Sequence, residues 1–169
     1  MWLSVCRLNA TQLNSGTYVL DKMGTTFKVA SICAGQNSGT YALVLHLPEA
    51  KAISVGRLGT IHFPAGYYVY VGSALRNLSS RIQRHLSLTK KLHWHIDYFR
   101  EAAEVVGVFM ICQPIRYECA LAGEIARIAD DAIPRFGSSD CRCQTHLHYF
   151  HQNPIAQNRF VKIFLIFRS

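Results

Sequence analysis

The sequence predicts an α+β sandwich, a small antiparallel sheet with helices packed on it, and three observations lead there. Between Gly39 and Gly72 apolar residues alternate with period two. After Gly72 the period changes to about 3.6, the helical value. A further strand-length apolar run and a further helical stripe then follow in order, giving strands, helix, strand, helix.

Taken in order, residues 1–36 form a poorly patterned extension, with "TYVL" and "TTFKVAS" as short strand candidates around the turn signal "DKMG". From Gly39, "TYALVLHL" reads as a core strand. Tyr41, Leu43, Leu45 and Leu47 project to one face, and Thr40, Ala42, Val44 and His46 to the other. "KAISVGRLGTIHFPAGYYVYVGSA" reads as strands broken by glycine turns, the last placing Tyr68 and Tyr70 opposite Tyr67, Val69 and Val71. Asn77 is placed to N-cap a helix whose stripe is Leu78, Ile82 and Leu86. "HWHIDYFREA" reads as a short helix, "EVVGVFMI" as a third core strand, and "RYECALAGEIARIA" as an amphipathic helix after Pro114. The loop "RFGSSDCRC" leads into "THLHYF". These patterns set three segments: the extension 1–36, a core domain 37–152 and a C-terminal tail 153–169. In the tail, "FVKIFLIF" is short and carries Lys162, which favours a buried strand or helix turn over a membrane span.

Composition narrows the function. Half of the 169 residues are hydrophobic and 17% are charged, which excludes global disorder. Eighteen Lys and Arg against ten Asp and Glu give a net charge of +8, a balance suited to polyanions. The N-terminus lacks a cationic lead followed by a sustained apolar run, so no signal peptide is expected. The expected location is the cytoplasm, with no membrane partner and with the six cysteines reduced.

Few residue types carry candidate chemistry. Tyr41 starts one strand and Tyr70 ends another; if the strands are antiparallel neighbours, the two phenols converge. Arg81 and His85, four apart, flank the stripe of the first helix, where a guanidinium can grip a phosphate and an imidazole can relay a proton. Glu118 leads the stripe Leu121, Ile125, Ile128, so its carboxylate needs a partner or a metal. Arg76, Arg84, Lys90 and Lys91, with His93, form a basic stretch able to track a nucleic-acid backbone.

The blocks "GTY" at Gly39–Tyr41, "YVG" at Tyr70–Gly72, "RIQRH" with Arg81 and His85, "KKLHWHIDYF", "YECALA" and "FGSSDCRCQTHLHYF" resemble the GIY-YIG endonuclease superfamily. The likeness is to its compact branch of Uri-type endonucleases and domains of unknown function, which is sometimes found fused to endonuclease III-like DNA repair proteins. It spans roughly Gly39 to Phe150. It implies a small three-stranded antiparallel sheet flanked by helices, and a Mg²⁺-dependent (or Mn²⁺-dependent) endonuclease acting on DNA, or on RNA, in repair or in processing of structured DNA. Tyr41, Tyr70, Arg81, His85 and Glu118 match its catalytic positions, with Glu118 as the metal ligand. Thr40 and Val71 stand where the motifs carry Ile. Tyr41 and Tyr70 are 29 positions apart, so a strand or loop around Gly56–Phe63 must be inserted. The earlier copy "NSGTYVL" has no partner block and is expected to lie in an extension that does not fold with the domain.

Two other readings compete. One is a nucleic-acid-binding module without catalysis. The other is a zinc site from Cys141, Cys143, His146 and His148, with Cys119 as a further candidate ligand; the one-residue cysteine spacing is unusual for a zinc knuckle, so free thiols are expected. "HWHID" (His93, His95, Asp97) reads as a helix start rather than a metal site. Oligomeric state is open.

Overall fold

The computed structural model describes the backbone of residues 17–21 and the whole of residues 37–167. Its strands are β1 (Thr17–Asp21), β2 (Gly39–Leu47), β3 (Lys51–Ser54), β4 (Thr60–Phe63), β5 (Gly66–Ala74), β6 (Glu104–Ile111), β7 (Asp131–Ala132) and β8 (Leu147–Phe150). The helices are α1 (Leu78–Leu86), α2 (His95–Arg100), α3 (Glu118–Ala126) and α4 (Asn158–Ile166).

The class is α+β with an antiparallel sheet, but that sheet has six strands in the order β1-β6-β2-β5-β8-β7, rather than the three expected. The three expected strands are its adjacent centre, β6-β2-β5. The additions are short: β7 has two residues and β8 four, too few to show a period in the sequence. The long connection between β2 and β5 contains a separate hairpin, β3–β4, turned by a 3₁₀ segment at Gly56–Leu58. Gly56 and Gly59 carry φ of 46° and 75°, the left-handed region that glycine tolerates.

Alternation along β2 and β5 divides the core in two. One face carries Tyr41, Leu43, Leu45, Tyr68 and Tyr70 and is covered by α1, α2 and the hairpin, whose Phe63 ring lies 4.8 Å from that of Phe99. The other carries Ala42, Val44, Val69 and Val71 and is covered by Leu121 and Ile125 of α3 and by Phe160, Ile163 and Phe164 of α4. The tail is therefore a helix packed on the sheet, and the expected break at residue 153 is not a structural boundary.

Two local expectations change. Asn77 precedes α1 but lies in the left-handed region and makes no side-chain cap. Asn37 caps instead: its Oδ1 accepts from the Ser79 backbone N–H at 2.9 Å and from the Ser79 hydroxyl at 3.0 Å, tying the start of β2 to the start of α1. Thr17–Leu20 of the first "NSGTYVL" copy, with the following Asp21, pairs with β6, so this stretch joins the sheet. Tyr18 and Tyr41 both face Met110 in register, from opposite sides of β6. "TTFKVAS" and the rest of the extension lie outside the described residues. Cys112 is disulfide-bonded, against the expectation that every cysteine is reduced. No helix among the described residues is long and apolar enough to cross a membrane.

Candidate active site

Pairing of β2 with β5 sets Tyr41 opposite Gly72 and Leu43 opposite Tyr70. The two tyrosines thus lie on one face, diagonal neighbours despite the inserted hairpin. Gly72 permits this. A Cβ at that position would collide with the Tyr41 hydroxyl, so the phenol lies across β5 only because the residue beneath it has no side chain.

From α1, His85 reaches the same point. Its Nε2 is 2.7 Å from the Tyr41 hydroxyl, and its ring lies 6.0 Å from that of Tyr70. Burial, followed by the charge of Lys90, pushes the His85 pKa down to about 3, so the imidazole is neutral. Burial, and next the neighbouring Tyr70, raises the Tyr41 pKa well above its ordinary value, keeping the phenol protonated. With the imidazole proton on Nδ1, Tyr41 donates to Nε2. Arg81, one turn before His85, lays its guanidinium 4.3 Å above the Trp94 ring, a cation–π contact that fixes a long side chain at the mouth.

Glu118 opens α3 and lines the same cavity. Ser73 donates to its Oε2 at 2.5 Å, and His146 Nδ1 lies 3.2 Å from Oε1, within ion-pair distance though not aligned as a hydrogen bond. Arg116 stands 3.7 Å away and donates from Nε to Ser73 Oγ. Burial works against the carboxylate's charge, but His146 and Ser73 outweigh it and hold the pKa below the ordinary range. Glu118 is therefore ionised at neutral pH. Tyr41, Tyr70, Arg81, His85 and Glu118 line one cavity of about 400 Å³.

The basic stretch divides. His93 lies on the cavity wall. Arg76 and Lys91 are exposed and do not line it. Arg84 and Lys90 are committed elsewhere, to a fully buried Asp97 at 2.6 and 3.0 Å, so they hold the α1–α2 loop rather than present free charge. Asp97 also accepts from the backbone N–H groups of His93 and Trp94, a helix-capping role.

Ser73, Arg116, Trp94 and Asp140 also line the cavity, and sequence reasoning missed them. A second hollow of about 400 Å³ shares His95 and Ser139 with the first and carries Arg57, Arg135 and Arg142. Arg57 comes from the turn of the β3–β4 hairpin and Arg135 and Arg142 from the β7–β8 connection, segments far apart in the sequence. The cysteine loop also differs from expectation. Cys119, Cys141, Cys143 and His146 place their ligand atoms within 4.8 Å of one another. His148 is not among them, because β8 pairs it with Val69 on the other face of the sheet.

A model of the family described as Domain of unknown function DUF123 matches residues 40–168, most of the chain. The chain belongs to the DUF123 family. The DUF123 match takes in every residue of the cavity, the hairpin and α4. No curated protein and no solved structure matches the chain.

Proposed function

We propose that this DUF123 domain is a metal-dependent endonuclease of the GIY-YIG kind, hydrolysing phosphodiester bonds in DNA, with RNA as the second substrate class. One observation carries the reading: a buried Tyr41–His85 hydrogen bond and the Arg81 guanidinium share a cavity with an ionised Glu118. Proton relay, phosphate clamp and cation ligand are what hydrolysis of a charged diester requires.

The donor set fits Mg²⁺ or Mn²⁺. Glu118 is a hard, ionised oxygen ligand on the cavity lining, and its contacts with Ser73, His146 and Arg116 do not exhaust the acceptor capacity of a carboxylate. When bound, the cation supplies polarisation of the phosphate and neutralisation of charge on the leaving oxygen. Arg81, held flat against Trp94, neutralises charge that builds on the phosphate. Tyr41 takes a proton from the attacking water as it passes its own to His85 Nε2, so no free phenolate has to form in the buried site. Burial makes an imidazolium at His85 costly, and the diester's negative charge lowers that cost. The arginines of the adjoining hollow extend the basic surface along the strand's path.

The test is incubation of the wild type and Glu118→Ala with supercoiled plasmid and with labelled branched, single-stranded and RNA substrates, in Mg²⁺ or EDTA. Cleavage abolished by both EDTA and the substitution is the expected result. Tight binding with no cutting on any substrate would favour a non-catalytic binding module.

A further inference from the structure

The cysteine cluster is not used by the proposed chemistry, yet it touches the site. Cys119 follows Glu118 in the first turn of α3. Cys141 and Cys143 come from the connection 133–146 between β7 and β8, and His146 sits immediately before β8. Cys119, Cys141 and Cys143 are free thiols. His146 is 1% exposed, with Nε2 3.4 Å from Cys141 Sγ and Nδ1 3.2 Å from Glu118 Oε1.

We propose that Cys119, Cys141, Cys143 and His146 form a structural Zn²⁺ site that fixes the Glu118 carboxylate through His146. Three sulfurs and one imidazole nitrogen are an established donor set for tetrahedral zinc. Bond lengths of about 2.3 Å to sulfur and 2.0–2.1 Å to nitrogen put neighbouring ligand atoms about 3.5–3.8 Å apart, so the cluster needs only a small contraction. Zinc bound to Nε2 leaves the ring proton on Nδ1, the atom that faces Glu118. A carboxylate, a histidine and a zinc ion in that order orient one another. The three thiols release their protons to solvent on binding, so the site is a closed thiolate centre with no open position for substrate.

The site also has a fold to serve. The connection 133–146 exceeds the ~12 residues beyond which a loop without secondary structure is unusual, and it supplies Gly137, Ser139 and Asp140 to the cavity wall. Zinc would pin it to α3. The one-residue spacing of Cys141 and Cys143, unusual for a knuckle, is explained by a third thiol arriving from the helix.

The part of the inference that concerns Glu118 rests on the reading of that carboxylate as the cation ligand; the zinc site does not. Coupling is reciprocal, so the carboxylate must support the zinc as the zinc orients it. The experiment is a metal analysis of the purified full chain, Co²⁺ spectra of the chelator-stripped protein, and chelator competition for zinc in wild type, Glu118→Gln and Glu124→Gln. We expect roughly one zinc per chain and thiolate-to-cobalt charge-transfer bands. Cys141→Ser and Cys143→Ser should lose both, with circular dichroism checking that each variant remains folded. Glu118→Gln should weaken zinc affinity about 10–100-fold, and Glu124→Gln, on the outer face of α3, should not. Absence of zinc and of cobalt–thiolate bands in the folded wild type overturns the site. Zinc affinity unchanged in folded Glu118→Gln overturns the coupling. None of these readouts uses cleavage, so loss of the nuclease reading would leave them standing, and cleavage by a zinc-free protein would remove this inference alone.

Discussion

The two faces of the sheet are built from alternate residues of the same strands and come out chemically opposite. On the α1–α2 face an apolar core that includes Phe63, Phe99 and Phe136 borders a cluster of polar-tipped side chains: Tyr41, Tyr70 and His85 line one cavity with Glu118. On the α3–α4 face the large side chains are dry aromatics, with Phe109 5.1 Å from Phe160 and stacked on Phe164 at 4.7 Å. Each face also buries a histidine held neutral by its surroundings, His85 with a phenol partner and His148 with both ring nitrogens unpartnered among the described residues. Both faces carry core, but only the α1–α2 face carries the tyrosines and the histidine of the candidate site, and a one-residue shift of β2 would turn Tyr41 to the other face.

The largest effect should come from setting the faces against each other. Phe160→Ala removes a fully buried ring from the dry face and should cost about 3–5 kcal/mol in urea unfolding. Any nuclease activity should be lost only under conditions where the variant unfolds. Tyr41→Phe should do the reverse, changing stability by about 1 kcal/mol or less while lowering cleavage by about 10²–10⁴-fold. Equal cleavage by Tyr41→Phe and wild type would remove the phenol from the relay.

A second, smaller effect is acid sensitivity shared by both faces. Burial holds the His85 pKa at about 3 and, as the first cause, the His148 pKa at about 4, against 6.5 for an ordinary histidine. Between these values the unfolded chain binds more protons than the folded one, so stability rises with pH there. Stability should be level above about pH 7 and fall by a few kcal/mol as pH drops from about 6.5 toward 4. Urea midpoints across that range check it; a flat profile would mean that neither ring is held neutral by the fold.

Gly72→Ala is expected to cost about 1–3 kcal/mol, because the new Cβ must displace the Tyr41 ring. Cleavage should fall as in Tyr41→Phe, and a double variant with Tyr41→Phe should add little further loss of cleavage.

How far the sequence shows this arrangement depends on the range of the interaction that makes it. Alternation in β2 and β5 is local, and it assigns Tyr41 and Tyr70 to one face and Val69 and Val71 to the other, as in the structure. The α1 stripe places Arg81 and His85 by the same logic. Arg116 acquires its role through Ser73, 43 positions earlier, and Asn37 caps a helix 42 positions later. Such pairings follow from tertiary packing and leave no periodic trace. The Lys90–Asp97 ion pair is hidden for the same reason, since Asp97 looks in sequence like part of a short polar helix start.

His148 is where local spacing misleads most, and it gives the finest test of the comparison. In "THLHYF" two histidines at i and i+2 look like paired ligands, because strand residues two apart share a face. His146, however, precedes β8, and only His148 is held by the strand's own alternation, in register with Val69 on the dry face. A buried imidazole without partners contributes less than an apolar side chain of similar size. His148→Met should therefore stabilise the protein by about 1–2 kcal/mol at neutral pH, flatten part of the acid limb and leave zinc content unchanged. Loss of stability would show that the imidazole makes a favourable contact that methionine cannot replace, and loss of zinc would return His148 to the ligand set in place of His146.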